Sequence, residues 1–153
     1  MLELNAPVPN FTLQDDQDQT RTLAEFHGKP VVLFFYPKAD TPGCTIEACG
    51  FRDTFQQLID AGAVVLGISR DTPRAQAKFR AKYELPYTLL ADTGAEVCNL
   101  FGVLKEKNMY GKKVMGIERS TFVIAPDGTL AKIFPKVKPE GHAQEVLAAL
   151  KTA

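Results

Sequence analysis

Cys44 and Cys49 stand with four residues between them in the run Pro37-Lys38-Ala39-Asp40-Thr41-Pro42-Gly43-Cys44-Thr45-Ile46-Glu47-Ala48-Cys49. A strongly apolar segment, Val31 to Tyr36, leads into this run, and an amphipathic one, Phe51 to Ile59, follows it. Cys44 therefore falls where a buried strand hands over to the first turn of a helix. The unpaired N–H groups of a first turn and the positive end of the helix dipole favour negative charge there, so this is a place that suits a thiolate. A thiolate with a second thiol close by points to redox chemistry rather than to packing.

The elements that must position these thiols are those of an ordinary globular protein. A chain of 153 residues fits a single domain, residues 1–153, with a real core. A domain of that size buries roughly 70% of its unfolded surface and needs no disulfide or metal to fold. Hydrophobic residues make up 45% and charged residues 24%, both unexceptional. Lys plus Arg equals Asp plus Glu at 18 each, which argues against a general binder of nucleic acid or anionic membrane. The basic stretch from Lys105 to Lys113 reads as a solvated loop. The N-terminal residues lack a charged segment followed by an apolar one, so no secretory signal is expected. No apolar run approaches the ~20 residues of a membrane helix. A cytoplasmic location is the expectation, and three cysteines in a reducing compartment are not expected to be structural disulfides.

Phe11-Thr12-Leu13 and Thr22-Leu23 flank a polar stretch, Gln14 to Arg21, which reads as an N-terminal hairpin. Val31 to Tyr36 is bulky and does not alternate, the mark of a strand covered on both faces. Phe51, Phe55, Leu58 and Ile59 fit one face of a helix that Gly62 ends. Ala63 to Ile68 is a second buried strand. Asp71-Thr72-Pro73 starts a helix whose apolar stripe is Ala75, Phe79 and Tyr83. Tyr87 to Leu90 is a third strand, and Val97, Leu100 and Phe101 face inward from a short helix. Thr121 to Ile124 and Leu130 to Phe134 flank the turn Pro126-Asp127-Gly128, and Ala143 to Leu150 is a last helix. Strands alternating with helices imply parallel units, and the late hairpin adds antiparallel strands. The expected fold is α/β and thioredoxin-like: a mixed central sheet flanked by helices on both sides, with an N-terminal β-hairpin extension.

Within the loop before Cys44, Pro37 ends the strand. Thr41 suits a helix N-cap, and Pro42 suits the next position. Gly43 lets the backbone come close to a ligand. The string Pro37-x-x-x-Thr41-x-x-Cys44 resembles the peroxiredoxin active-site motif Pro-x-x-x-Thr/Ser-x-x-Cys. The longer run from Phe35 to Cys49 is similar to the bacterioferritin comigratory protein (PrxQ) subfamily. The likeness extends over almost the whole chain, through Ala6-Pro7, Gly67-Ile68-Ser69, Leu89-Leu90-Ala91-Asp92, Phe101-Gly102-Val103 and Arg119-Ser120-Thr121-Phe122.

The resemblance implies a role for each matching residue. Cys44 corresponds to the peroxidatic cysteine, which peroxide oxidises to a sulfenic acid. Thr41 corresponds to the hydroxyl that hydrogen-bonds peroxide and thiolate, and Pro37 to the proline that shields the pocket. Arg119 corresponds to the arginine that favours the thiolate and polarises the peroxide. Cys49 corresponds to the resolving cysteine that closes an intramolecular disulfide. The implied activity is reduction of hydrogen peroxide and organic hydroperoxides without metal, haem or flavin. Thioredoxin or a similar dithiol is the implied reductant. The intramolecular pair needs no second subunit, so a monomer is expected.

Helix geometry makes that disulfide demanding. Residues five apart rise about 7.5 Å, which leaves their Cα atoms roughly 8.7 Å apart, whereas a disulfide needs about 4.4–6.8 Å. The bond is expected only after residues 44–49 unwind, a change that Gly50 eases.

Other readings remain in view. A thioredoxin-type thiol–disulfide oxidoreductase is disfavoured because the spacing is not Cys-x-x-Cys. A redox-sensing binding protein would use the same pair at low turnover. Cys98, among core-facing residues, reads as a buried spectator. His27 and His142 read as surface residues, and too few ligands accompany them for a zinc site. Arg119 could also serve as an ion-pair partner for Glu118 or an acidic loop.

Overall fold

The structure is a computed structural model that describes residues 2–152. In chain order its strands are β1 (Thr12–Asp15), β2 (Thr20–Thr22), β3 (Val31–Phe35), β4 (Val64–Ser69), β5 (Thr88–Ala91), β6 (Leu104–Met109), β7 (Lys112–Ile117), β8 (Ser120–Ile124) and β9 (Leu130–Phe134). The helices are α1 (Pro42–Asp60), α2 (Pro73–Tyr83), α3 (Glu96–Leu100) and α4 (His142–Thr152), with a 3-10 turn at Leu23–Phe26. A seven-stranded sheet has the order β2-β1-β5-β4-β3-β8-β9, and β6 and β7 form a separate hairpin. The β3/β4 and β4/β5 pairs are parallel, and the other neighbours in the sheet are antiparallel. This is the mixed, thioredoxin-like sheet with an N-terminal hairpin. Among the described residues no helix is long and apolar enough to cross a membrane.

β3 lies between β4 and β8, and all five of its residues are buried. Its side chains alternate between two cores, as a strand's must. Val32, Phe34 and Tyr36 join Phe51, Leu58, Phe79, Val146 and Leu147 on one face. Val31, Leu33 and Phe35 join Phe101, Phe122, Val103 and Leu130 on the other. Helices do flank both faces, but unequally. α1, α2 and α4 share one face, and the short α3 covers the other together with the N-terminal segment.

The strand–helix junctions follow their local chemistry. Thr72 caps α2 by accepting the Ala75 N–H at 3.2 Å, with Pro73 at the first helical position. Gly62 takes φ +84° beyond the C-terminus of α1, a conformation that glycine adopts without strain. The ring of Phe51 stacks on Phe34 with centroids 4.6 Å apart, which pins the middle of α1 to the sheet.

Four expectations are corrected. Ile59 is 45% exposed: at about 100° per residue it lies about 80° round the helix from Phe51, and Thr54 completes the buried stripe instead. In α2 the buried residues are Gln76 and Phe79 rather than Ala75 and Tyr83, because Gln76 spends its polar atoms inside. It receives the Tyr36 O–H and donates to Ser69 Oγ and the Leu90 carbonyl. Apart from the half-buried Lys107, the described side chains from Lys105 to Lys113 are exposed as expected, yet the stretch is a β-hairpin rather than a loop. Tyr110 and Gly111 both have positive φ at its turn, the geometry of the tight turns that join twisted strands. Finally, His142 is buried at 1% exposure. Its ring nitrogens lie 2.7 Å from Thr121 Oγ1 and 2.7 Å from Glu145 Oε1. Burial holds its pKa below the usual histidine value despite Glu145. His27 is exposed, as expected.

Candidate active site

α1 begins where β3 leaves the sheet, and the loop between them is held from several directions. The Ala39 N–H donates to Asp71 Oδ2 at 2.8 Å, and the Ser69 hydroxyl donates to the same oxygen at 2.6 Å. Asp40 has φ +60°, an uncommon conformation for a residue with a side chain. Its carboxylate accepts from Lys82 and from the Tyr83 hydroxyl, each at 2.8 Å. Thr41 is the N-cap residue by backbone, and its carbonyl accepts the Thr45 N–H at 2.9 Å. Its side chain does not cap the helix. The hydroxyl donates backward to the Lys38 carbonyl at 2.8 Å, so it braces the loop and leaves the first-turn N–H groups free of it. Pro37 is half-buried and borders a shallow cleft shared with Ile117, Glu118, Arg119 and Val137.

Cys44, in the first turn of α1, is 1% exposed. Arg119 reaches it from the turn between β7 and β8, with Nη2 3.4 Å from Sγ. The backbone of Arg119 is fixed by the Val137 N–H, which donates to its carbonyl at 2.8 Å. Residues 75 apart in sequence are thus brought together by the β3/β8 pairing. Gly43 makes the approach possible: a Cβ there would lie 3.0 Å from Nη2 and 3.5 Å from Pro139 Cγ. Its lack of a side chain makes room for the guanidinium.

The partner of Arg119 is neither Glu118 nor an acidic loop. Nη1 donates to Glu47 Oε1 at 2.9 Å. Glu47 lies three residues after Cys44 on the same helix, and its side chain is wholly buried. Burial pushes its carboxyl up to about 7, against the pull of Arg119. Burial also works against the Arg119 charge, but Glu47 and Cys44 outweigh it and raise its pKa. The signal for this pair in the sequence was a glutamate one turn along the helix from the thiol. Tyr87 was missed too; its hydroxyl donates to the Ala48 carbonyl at 2.7 Å inside the core.

Cys49 is half-buried on another side of α1. It lines a groove with Ile46, Gly50, Pro139, Ala143 and Gln144. Burial pushes its thiol above the usual value. All three cysteines are free thiols, and α1 is continuous from Pro42 to Asp60. The structure therefore brings Cys44, Arg119 and Glu47 together, with Thr41 and Pro37 on the adjoining loop, and sets Cys49 apart. Cys98 is fully buried on the opposite face of the sheet, as expected.

A buried thiol facing a guanidinium at a strand–helix junction of a thioredoxin-like sheet defines a thiol-based redox enzyme. Comparison with known proteins agrees: residues 4–133 match the AhpC/TSA family, and the chain belongs to that family. A Coxiella burnetii relative carrying the bcp peroxiredoxin name is 50% identical over 149 residues, 97% of this chain and 99% of that protein. Peroxiredoxin Bcp of Bacillus subtilis is 43% identical over 98% of this chain and 96% of its own length. The bacterioferritin comigratory protein of Xanthomonas campestris, solved in a study of alkyl peroxide reduction, superposes with a TM-score of 0.91. That structure is 42% identical, with 99% of this chain and 97% of that chain covered. Within the family, these relatives place the chain in the Bcp, or peroxiredoxin Q, branch, whose activity is that of a thiol peroxidase.

Proposed function

We propose that Cys44 is the peroxidatic thiol of this enzyme and that Arg119 is its electrostatic partner. The observation that carries the assignment is the guanidinium nitrogen 3.4 Å from a buried sulfur. A permanent cation at that distance stabilises negative charge on sulfur and also on the oxygen that departs from peroxide. The Cys44 thiolate attacks one peroxide oxygen and the O–O bond breaks. The other oxygen leaves with a proton as water or an alcohol, and Cys44 becomes a sulfenic acid. Thr41 and Pro37 belong to the peroxide pocket in this reading, which requires the Thr41 hydroxyl to turn from Lys38 toward substrate.

Cys49 then attacks the sulfenic sulfur. The S–S bond forms, the S–O bond breaks, and water leaves. Thioredoxin or a similar dithiol returns both thiols, taking the oxidation onto itself. The substrates are hydrogen peroxide and organic hydroperoxides, the protein works as a cytoplasmic monomer, and the sulfur chemistry uses no metal or organic cofactor. Support for these finer points is the site's thiol pair and the likeness to the Bcp relatives.

The test is peroxide-dependent NADPH consumption with thioredoxin and thioredoxin reductase. Steady turnover that disappears in Cys44→Ser is expected. Peptide mapping after one equivalent of peroxide should find Cys44 joined to Cys49. A Cys44–Cys98 link, or turnover that survives Cys44→Ser, overturns the assignment.

A further inference from the structure

The resolving step requires the first turns of α1 to leave the site, so what holds those turns decides when resolution can occur. Between Pro42 and Gly50 the buried side chains are Cys44, Glu47 and Ala48. None is a large apolar group; the aromatic anchor begins at Phe51, stacked on Phe34. Unwinding residues 42–50 therefore exposes little apolar surface. The side-chain ties on that segment are polar: Arg119 to Cys44 and Glu47, and the Tyr87 hydroxyl to the Ala48 carbonyl.

Glu47 stands out among them. Its Oε2 is the one buried side-chain oxygen or nitrogen without a hydrogen-bond partner among the described residues. A buried carboxylate with a bare oxygen is costly, because water would have solvated both oxygens. An ion pair to one oxygen offsets that cost only in part. The carboxylate sits midway along the segment that must unwind, and unwinding returns it to water.

We infer that Glu47 is a positioning residue that controls the unwinding of α1: its buried, half-partnered carboxylate drives the first turns of the helix out of the site so that Cys49 can reach Cys44. This rests on the reading of Cys49 as the resolver. The charged and titratable groups around Glu47 and its partner are Arg119 from the β7–β8 turn, Cys44 on its own helix, Tyr87 from the segment entering β5, and His142 at the start of α4, which feels Arg119 and which burial keeps toward the neutral form. Only Arg119 is a cation, and burial still raises the Glu47 carboxyl from 4.5 to about 7. The folded helix therefore binds the proton more tightly than the unwound one. Its hold is full below 4.5 and is lost as pH rises toward about 7. At neutral pH the helix is poised to open, and in acid it stays shut.

Amide hydrogen exchange of the reduced protein, corrected for intrinsic rates, reads the opening directly. From about pH 5 to about pH 7.5, protection of residues 43–50 is expected to fall at least about tenfold in the natural protein. In Glu47→Gln it should change by less than about threefold, because the amide does not titrate. Single-turnover disulfide formation near pH 7.5 should be roughly tenfold slower in the variant. Equal pH dependence in the two proteins, or faster disulfide formation in the variant, overturns the inference. Should the variant fold poorly, the natural protein decides alone: protection that does not fall across that range overturns it. If protection behaves as expected but mapping finds no Cys44–Cys49 bond, Glu47's control of the helix stands and the choice of resolver falls.

Discussion

Cys44 and Cys98 are two thiols buried to nearly the same degree, at 1% and 0% exposure, on opposite faces of one sheet. Their neighbours carry opposite charge. Cys44 faces the Arg119 guanidinium. Cys98 lies beside Asp92, whose two carboxylate oxygens accept the Val97 N–H at 3.2 Å and the Cys98 N–H at 2.7 Å. Burial, and then Asp92, push the Cys98 thiol far above its usual range. Each thiol also sits near a helix start, α1 for one and the five-residue α3 for the other. Burial and helix position are thus alike at the two thiols and cannot account for the different roles proposed for them. The charge placed beside each cysteine does differ, and it comes from a residue distant in sequence for Cys44 and a near one for Cys98.

The largest effect is expected from removing that charge. Arg119→Leu takes away the cation facing Cys44 and leaves Glu47 buried without its partner. The second-order rate of Cys44 oxidation, followed by stopped-flow thiol loss, should fall about 10²–10³-fold, the scale of losing a charge-stabilising donor. A fall of less than about threefold breaks the comparison, since Cys44 would then react without its cation. The corresponding change at the other thiol should be felt as stability. Asp92→Asn leaves one acceptor oxygen and turns an NH₂ toward a backbone N–H. Hydrogen bonds to a charged group are worth about 1.5–3 kcal/mol, so the melting temperature should drop by roughly 4–10 °C. Peroxide turnover at 25 °C should stay within about twofold. Lost turnover with unchanged melting would mean that Cys98 takes part in the chemistry.

The comparison also shows what the sequence could and could not reveal. Val31 to Tyr36 announced a doubly covered strand because every residue is bulky and apolar. The Pro37 to Cys44 string placed the thiol at the helix start because proline, threonine and glycine each have a narrow local use. Such signals are local. Only the Glu47 half of the Arg119–Glu47 pair was legible, from its place one turn after Cys44; its partner was not, because the pair joins residues 72 apart and depends on β8 lying beside β3. His142 was misread because a polar residue at a helix start is usually solvated; here Thr121 and Glu145 satisfy its ring. The β6–β7 hairpin was hidden by its charge, since most of its described side chains are exposed and only the paired Leu104 and Ile117 reach the core. Gly43 was singled out for close approach, but the sequence did not show which side chain approaches it. In the structure the Arg119 side chain comes up against it.

That last point sharpens the contrast through a smaller change. Gly43→Ala puts a methyl 3.0 Å from Arg119 Nη2, while Cys44 and Arg119 are both retained. The guanidinium is held on its far side by Glu47 and must shift by a few tenths of an ångström or more. Small misplacements at a reacting centre are costly, and Cys44 oxidation should slow by roughly tenfold. An unchanged rate would show that the sulfur needs a nearby cation but not this contact.

The smallest effect separates Cys44's chemistry from the motion that follows it. Gly50 lies just beyond Cys49, and a Cβ there would meet only the Ala143 Cβ at 3.8 Å, an ordinary contact. Gly50→Ala therefore costs no space, and it favours the helical form by about 1 kcal/mol. The unwound population should fall about fivefold, since about 1.4 kcal/mol is a factor of ten. Disulfide formation after a single peroxide pulse, followed by quenching with an alkylating agent, should slow by up to that factor. Oxidation of Cys44 should not slow, because Gly50 touches neither the sulfur nor Arg119. If both steps slow together, the substitution has disturbed the folded site. If neither slows, the two thiols meet without unwinding α1, and helix geometry does not gate the cycle.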